Sequence, residues 1–178
     1  MEKEQIMIDS PDGYGIVSRF FHWLMTLLIG WQLLKFGDRI AEGEHWVGQT
    51  LVPFHVSIGV LLLVLAIARL GWAFSQSHQR PVHDPATAFF VRAGHGLLYA
   101  GMILMPLTGI MVMLGGGYGV TVFGVELIPE AEEIAWAEAL GSLHSPLAWL
   151  LTALILGHIF MALFHHFIRR DDTLVRMA

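Results

Sequence analysis

Four apolar segments, each long enough to cross a lipid bilayer, dominate this 178-residue chain. They run over about residues 19–36, 51–74, 93–114 and 142–168, and a membrane-spanning helix needs about 20 mostly apolar residues. Charged residues make up only 14% of the chain, whereas soluble domains average about 25%. The sequence therefore predicts an all-α integral membrane protein, a four-helix bundle that forms one domain over residues 1–178.

The residues before the first segment carry the wrong charge for a cleaved signal peptide. Glu2, Glu4, Asp9 and Asp12 are acidic, while the start of a signal peptide is positively charged. We therefore expect residues 1–18 to form a short soluble tail.

Basic residues are distributed unequally between the two sides of the predicted bundle. Eight fall on the side of the chain ends and two on the other, and an excess of Lys and Arg marks the cytoplasmic side. We expect both termini to be cytoplasmic and the opposite, acidic face to lie outside. The eight are Lys3, Arg19, Arg69, Arg80, Arg92, Arg169, Arg170 and Arg176; the two are Lys35 and Arg39; the outer acidic residues are Asp38, Glu42, Glu44, Glu126, Glu130, Glu132, Glu133 and Glu138.

Four of the ten histidines pair by their depth in the predicted membrane. His144 and His158 lie 14 residues apart on one face of the fourth segment, which separates them by about 21 Å along a helix. His55 starts the second segment at the outer depth of His144, and His22 lies at the inner depth of His158. Because the chain has no cysteine, the pattern indicates two haem irons, each with two axial histidines.

Other readings of these histidines remain open. Buried histidines also form hydrogen bonds between helices, and His95, with Tyr99 one turn later, competes with His22 as the partner of His158. His95 could equally lie beside an inner cofactor or a quinone headgroup. Candidate neighbours of a haem propionate or quinone are Arg19, Gly59, Arg69, His95, Tyr99 and His165. Arg19 could instead be a cytoplasmic anchor, Arg69 could extend to the inner surface, and His165 could face lipid headgroups.

Several stretches of the chain resemble the bacterial cytochrome b561 family of small membrane cytochromes. The resemblance covers nearly the whole chain, and the FHW, RAGH and HHF…DDTLxRM motifs together are specific for it. The matching stretches are YGIVSRFFHWLMTLLIG (Tyr14–Gly30), HVSIGVLLLVLAIAR (His55–Arg69), AGHGLLYAGMILMPLTG (Ala93–Gly109) and Leu143–Met177.

This resemblance implies a four-helix protein of the bacterial inner membrane that holds two b-type haems. Carried over position by position, the axial ligands would be His22 with His158 and His55 with His144. The family exchanges electrons with the quinone pool, and some members resemble superoxide oxidases that reduce ubiquinone. Pro146, two residues after His144, departs from the pattern and is tolerated only if it lies in the first turn of its helix.

Three functions follow from these observations. The first is a membrane cytochrome that transfers electrons between a donor, with superoxide at the outer face as one candidate, and the quinone pool. The second is a haem-bearing anchor that takes electrons from a partner dehydrogenase or hydrogenase. The third is a haem-free transporter of protons or metal ions, which the absence of Asp and Glu from the apolar cores of the four segments disfavours. We expect lipid and a redox protein as partners, and no nucleic acid.

Overall fold

Helices make up most of the computed structural model, which describes residues 7–37, 45–81 and 87–177. Lys3, Arg39 and His83, and the acidic residues Asp38, Glu42 and Glu44, lie outside the described residues. The α-helices with bounds inside these ranges are α1 (Ile16–Leu33), α2 (Trp46–Thr50), α3 (His55–Ser75), α4 (Ala88–Gly115), α5 (Ala135–Gly141) and α6 (His144–Phe164). One hairpin joins β1 (Val120–Val122) to β2 (Val125–Ile128).

Three helical stretches are long and apolar enough to cross a membrane: Val52–Ser75, Ala88–Gly115 and Ala135–Arg169. Each contains most of one predicted segment. The first segment forms α1, which starts three residues earlier than expected, at Ile16. This helix is not among the three because Arg19, His22 and Gln32 lower the mean hydropathy of its 18 residues.

The long helices pack against their neighbours in chain order: α1 on α3, α3 on α4, and α4 on α6. The core between α1 and α3 is formed by Met25, Ile58, Leu62 and Ala66, all 7% exposed or less. Most other large apolar side chains of these helices face outward. Outward apolar side chains suit a bundle whose solvent is lipid.

Glycines end α4 and allow α5 to pack against it. A run of three glycines, Gly115–Gly117, follows the apolar residues of this helix, and α4 ends at Gly115. A Cβ on Gly115 would lie 2.6 Å from the Cα of Glu138, and one on Gly141 would lie 2.8 Å from the backbone nitrogen of Val112. Both glycines are therefore required for the close contact of α4 with the short helix α5.

The hairpin was not predicted from the sequence. Its two-residue turn consists of Phe123 and Gly124, which have φ angles of 48° and 85°. The backbone N–H of Phe123 donates to Oγ of Ser57 at 2.9 Å. This bond fixes the hairpin to the first turn of α3, two residues after His55.

The residues around Asp9, which belong to the predicted soluble tail, are folded against the rest of the chain. Asp9 is 1% exposed, and its carboxylate accepts hydrogen bonds from the backbone N–H of Gly15 at 2.9 Å and from Nε of Arg80 at 3.0 Å. The backbone N–H of Tyr14 donates to the carbonyl of Arg176. The polar groups of residues 9–15 are thus bonded to the predicted inner end of α3 and to the C-terminal segment.

Candidate functional site

Four of the predicted site histidines lie in two close pairs. The ring centres of His55 and His144 lie 6.1 Å apart, and those of His22 and His158 lie 6.4 Å apart. His144 and His158 both lie on α6, and their partners lie on α3 and α1. The backbones of α3 and α6, and of α1 and α6, make few close approaches within the described residues. The imidazoles of each pair therefore lie next to each other, edge to face, between helices that do not pack directly.

His55 and His144, called the outer pair after the side of the membrane on which the sequence predicts them, are each the first residue of a helix. His55 begins α3 and His144 begins α6. Nδ1 of His144 donates to the carbonyl of Met105 at 3.0 Å. This bond places the ring proton on Nδ1 and leaves Nε2 unprotonated, the state in which an imidazole binds a metal.

Pro146 lies in the first turn of α6, where a proline removes no helical hydrogen bond. The N-cap of α6 is Leu143 rather than Ser142. Ser142 instead follows α5, and its hydroxyl donates to the carbonyl of Ala139. Because α6 begins only at His144, Pro146 is its third residue, which explains why this departure from the family pattern is tolerated.

Two glycines make room beside the outer pair. A Cβ on Gly109 would lie 3.0 Å from Cε1 of His144, so this glycine lets the ring lie against α4. A Cβ on Gly59 would lie 3.2 Å from Nε2 of Gln32, the nitrogen that donates to the carbonyl of His55 at 2.9 Å. Sequence reasoning singled out Gly59 but missed Gly109 and Gln32, whose contacts depend on other helices.

Three histidines, His22, His95 and His158, form what we call the inner cluster, after the side of the membrane on which the sequence predicts them. The ring of His158 lies 6.4 Å from that of His22 on α1 and 5.7 Å from that of His95 on α4. The structure therefore brings both sequence candidates to His158. The two differ in their helices, because α4 packs directly against α6 whereas α1 does not. A flat group between facing rings fits more easily between α1 and α6.

Arg69 connects the inner cluster to Tyr99. Its Nη2 donates to Nδ1 of His22 at 3.3 Å, and its guanidinium carbon lies 5.6 Å from the centre of the Tyr99 ring. The side chain thus points into the bundle next to the inner histidines. Arg19 lies one turn before His22 on α1.

His165 has a partner in the C-terminal segment. It follows α6 in a wider turn, His165–Arg169, and its Nδ1 donates to a carboxylate oxygen of Asp171 at 2.6 Å. The sequence offered His165 as a neighbour of a haem propionate or of lipid headgroups, and did not predict this bond. His78 is exposed in a turn, whereas His45 caps α2 by accepting the backbone N–H of Gly48.

The family is settled by comparison with known proteins. The model of prokaryotic cytochrome b561 matches residues 13–178, nearly the whole chain. The chain belongs to the prokaryotic cytochrome b561 family. The family indicated by the sequence motifs is thereby confirmed.

Three relatives match this member of the family along almost their full lengths. Cytochrome b561 homolog 2 of Escherichia coli (strain K12) is 33% identical over 175 residues, which is 95% of this chain and 93% of that protein. Probable superoxide oxidase CybB of Yersinia pestis is 28% identical, over 92% of this chain and 94% of the relative. Cytochrome b562 of Cereibacter sphaeroides is 29% identical, over 93% and 94%.

Membership of a cytochrome b family implies haem b, and the outer pair fits that cofactor. An imidazole nitrogen binds a first-row transition metal at about 2 Å, and the ring centre lies about 1 Å further back, so two axial ligands of one iron have ring centres about 6 Å apart. The observed 6.1 Å and 6.4 Å match this spacing. The amide oxygen of Gln32, near His55, is also buried without a hydrogen-bond partner among the described residues.

Proposed function

We propose that this protein is a dihaem membrane cytochrome that passes electrons between a donor at its outer face and the quinone pool. The observation that carries the proposal is the pair of facing histidine couples, His55 with His144 and His22 with His158, at the spacing of axial ligands. Haem b, held at each couple by the two histidines, would supply one-electron chemistry. The protein's part is to hold, separate and tune the two sites.

The proposed architecture is one four-helix bundle over residues 1–178 in the bacterial inner membrane, with both termini cytoplasmic. In it α1 joins the three apolar helical stretches as a fourth span. Support comes from the charges near the inner ends of the helices: Arg80, Arg92, Arg169 and Arg170 all lie close to the chain ends or to the ends of α3, α4 and α6. Cytoplasmic loops of membrane proteins carry such an excess of basic residues.

The side chains at the inner site could also serve a quinone. Tyr99 and His95 lie on α4 one turn apart, and His95 faces His158. A quinone that is reduced takes up two electrons and two protons, so groups that can donate protons or hydrogen bonds are required near its carbonyls. We propose ubiquinone or a similar quinone at this inner region, on the support of the family and of these polar groups.

The acidic outer surface bears on the choice of donor. Residues 115–141 contain five glutamates and no Lys or Arg, and all five side chains are exposed: Glu126, Glu130, Glu132, Glu133 and Glu138. Such a surface repels an anion like superoxide and attracts a cationic donor or a basic redox protein. Superoxide oxidation therefore needs a local basic group, for which Lys35 is the candidate in the described residues.

A reduced-minus-oxidised spectrum with haem quantification tests the proposal. We expect two b haems per chain in the purified protein, and one after either His144→Ala or His158→Ala. His78→Ala, an exposed histidine in a turn, serves as the matched control and should retain both. A comparison of His22→Ala with His95→Ala then identifies the second ligand of the inner iron. A folded protein without haem would reject the cytochrome function and favour a histidine-lined transporter.

The donor can be tested by the salt dependence of electron delivery. We expect the rate with superoxide to rise with ionic strength, because salt screens the repulsion by the outer glutamates. Glu132→Gln/Glu133→Gln should increase this rate severalfold at low salt, whereas Asp12→Asn/Asp172→Asn removes the same charge from the other end and should not. A superoxide rate that falls with salt would contradict this electrostatic argument and support steering by a local cation.

The alternative function, an anchor that takes electrons from a partner dehydrogenase or hydrogenase, uses the same haems. The exposed edge of the hairpin, with Val125 and Leu127 60% and 57% exposed, offers a surface for such a partner. Purification in a mild detergent distinguishes the two functions. A soluble redox subunit that co-purifies, and without which no donor reduces the haems, would favour the anchor.

A further inference from the structure

Arg69 is a cation inside a predicted membrane span, and its contacts within the described residues include no carboxylate. Its guanidinium donates to Nδ1 of His22 at 3.3 Å, lies 5.6 Å from the centre of the Tyr99 ring, and lies 4.0 Å from the sulfur of Met25. None of these groups is anionic. Charged side chains in a membrane interior are costly and are usually kept for a function.

The outer and inner histidine pairs differ in what their Nδ1 atoms contact. Nδ1 of His144 donates to the carbonyl of Met105, and such a bond makes the imidazole a stronger donor to a metal. His22 has the Arg69 guanidinium at the corresponding atom. When Nε2 of His22 binds a metal, Nδ1 carries the ring proton, and a guanidinium offers that proton no acceptor. His22 therefore receives from Arg69 a nearby positive charge but no comparable strengthening.

These contacts have opposite electrostatic effects on a bound redox centre. A stronger imidazole donor stabilises oxidised iron, which carries the greater positive charge. A fixed positive charge nearby stabilises the reduced state, and the effect is large where little water screens it. The surroundings of His144 would therefore lower the reduction potential of a haem bound at the outer pair. The surroundings of His22 would raise that of a haem bound at the inner pair.

We propose that Arg69 sets the reduction potential of the inner haem above that of the outer haem, so that an electron favours the inner site. This inference rests on the proposed function, since it needs haem at both histidine pairs. Arg69 is a positioning residue in this account, because it acts on the redox centre through His22 and through its charge. It gives the molecule a preferred direction, from the outer surface towards the inner quinone region.

A spectroscopic redox titration of the haem-loaded protein tests this inference. Arg69→Gln removes the charge and keeps a hydrogen-bond donor, while Arg69→Lys keeps the charge. We expect Arg69→Gln to lower the reduction potential of one haem. The equilibrium constant for electron transfer between the two sites should change about tenfold, which corresponds to about 59 mV for a one-electron couple. Arg69→Lys should retain most of the difference in reduction potential between the two haems. Arg92→Gln, which removes an exposed charge near the start of α4, should change the two potentials equally or not at all.

The affected haem is assigned in a His144→Ala background, which retains only the inner site. The proposal is overturned if Arg69→Gln leaves both potentials unchanged, or lowers both equally. Arg69→Met is a second neutral variant that suits the apolar surroundings. Loss of the inner haem in both neutral variants would overturn the proposal in favour of a purely structural role. Fewer than two haems in the unmodified protein would instead count against the proposed function.

Discussion

At the scale of single residues, the orientation of His144 depends on two features of α4. The carbonyl of Met105 accepts the Nδ1 proton, and the missing side chain of Gly109 leaves space for the ring. Oγ1 of Thr108 lies 3.3 Å from the same nitrogen. The position of the imidazole therefore depends on both a hydrogen bond and a close contact with the same stretch of α4.

Gly109→Ala should displace the ring of His144, because the added methyl group would lie 3.0 Å from Cε1. We expect the outer haem to be lost or to bind more weakly, with the inner haem retained. Gly71→Ala on α3 is the matched control, since its Cβ would meet nothing within 4 Å, and it should be neutral or stabilise by roughly 0.5–1 kcal/mol. The haem-to-protein ratio and thermal unfolding measure both effects. Equal haem content in the two variants would show that the contact is unimportant.

At the scale of elements, the C-terminal segment, residues 170–177, is attached by a few polar contacts to the end of the bundle that is predicted to lie inside. Nε1 of Trp23 donates to the carbonyl of Met177 at 3.1 Å, and His165 donates to Asp171. Hydrogen bonding from Thr173, and then from His165, holds the pKa of Asp171 well below its ordinary value of 3.8, although burial opposes this shift. The ionised carboxylate therefore stabilises the attached segment.

This lowered pKa gives the attachment a pH dependence. A carboxyl group whose pKa is depressed in the folded state stabilises it above the unfolded pKa of about 4, and the contribution is lost as pH falls towards the folded value. We expect a spin label on Val175→Cys, an exposed position, to be immobile at neutral pH and progressively more mobile below about pH 4. Adding Asp171→Asn should make it mobile throughout, whereas Asp172→Asn should not. Mobility that is unaffected by acid would reject this role of Asp171.

The elements also show which parts of the fold could be predicted. The long helices and the glycine stop after α4 follow from runs of apolar residues, because each helix satisfies its own backbone in lipid. The hairpin could not be predicted, since Phe123 at a positive φ is rare for such a residue. It is stabilised by Ser57, 66 residues away in the chain. The sequence likewise predicted the histidine pairs by depth, but not the contacts of Arg69, Gln32 or Gly109, which depend on how neighbouring helices rotate.

At the scale of the whole molecule, the histidine pairs join helices that are not packed neighbours. The chain-order packing of α1, α3, α4 and α6 leaves the gaps between α6 and its partners α1 and α3 to be filled by side chains or a cofactor. We therefore expect the protein to be markedly less stable without haem. Preparing it from haem-deficient cells and comparing its thermal unfolding with that of the loaded protein measures this difference. Equal unfolding temperatures would mean that the gaps close by themselves.

The orientation in the membrane can be measured cleanly because the chain has no cysteine of its own. Single cysteines at Asp12 and at Glu126, both exposed positions, report on the two ends of the bundle. We expect an impermeant maleimide to label Glu126→Cys in intact spheroplasts and Asp12→Cys only after the membrane is opened. The unmodified chain provides the background. The reverse pattern would place the acidic surface in the cytoplasm and overturn the proposed direction of electron flow.

The unbroken helix between His144 and His158 also fixes how strongly the membrane voltage acts on an electron that passes between the two pairs. Fourteen residues span about 21 Å, or roughly two-thirds of a hydrocarbon core about 30 Å thick. The free energy of a unit charge that crosses the whole membrane changes by about 2.3 kcal/mol per 100 mV. An electron that moves between the two pairs would therefore gain or lose roughly 1.6 kcal/mol per 100 mV. With the proposed orientation, a negative interior opposes inward electron movement. With haem at both pairs, the length of α6 would set the share of the membrane voltage that acts on this step, and a change in that voltage would alter the rate of electron entry.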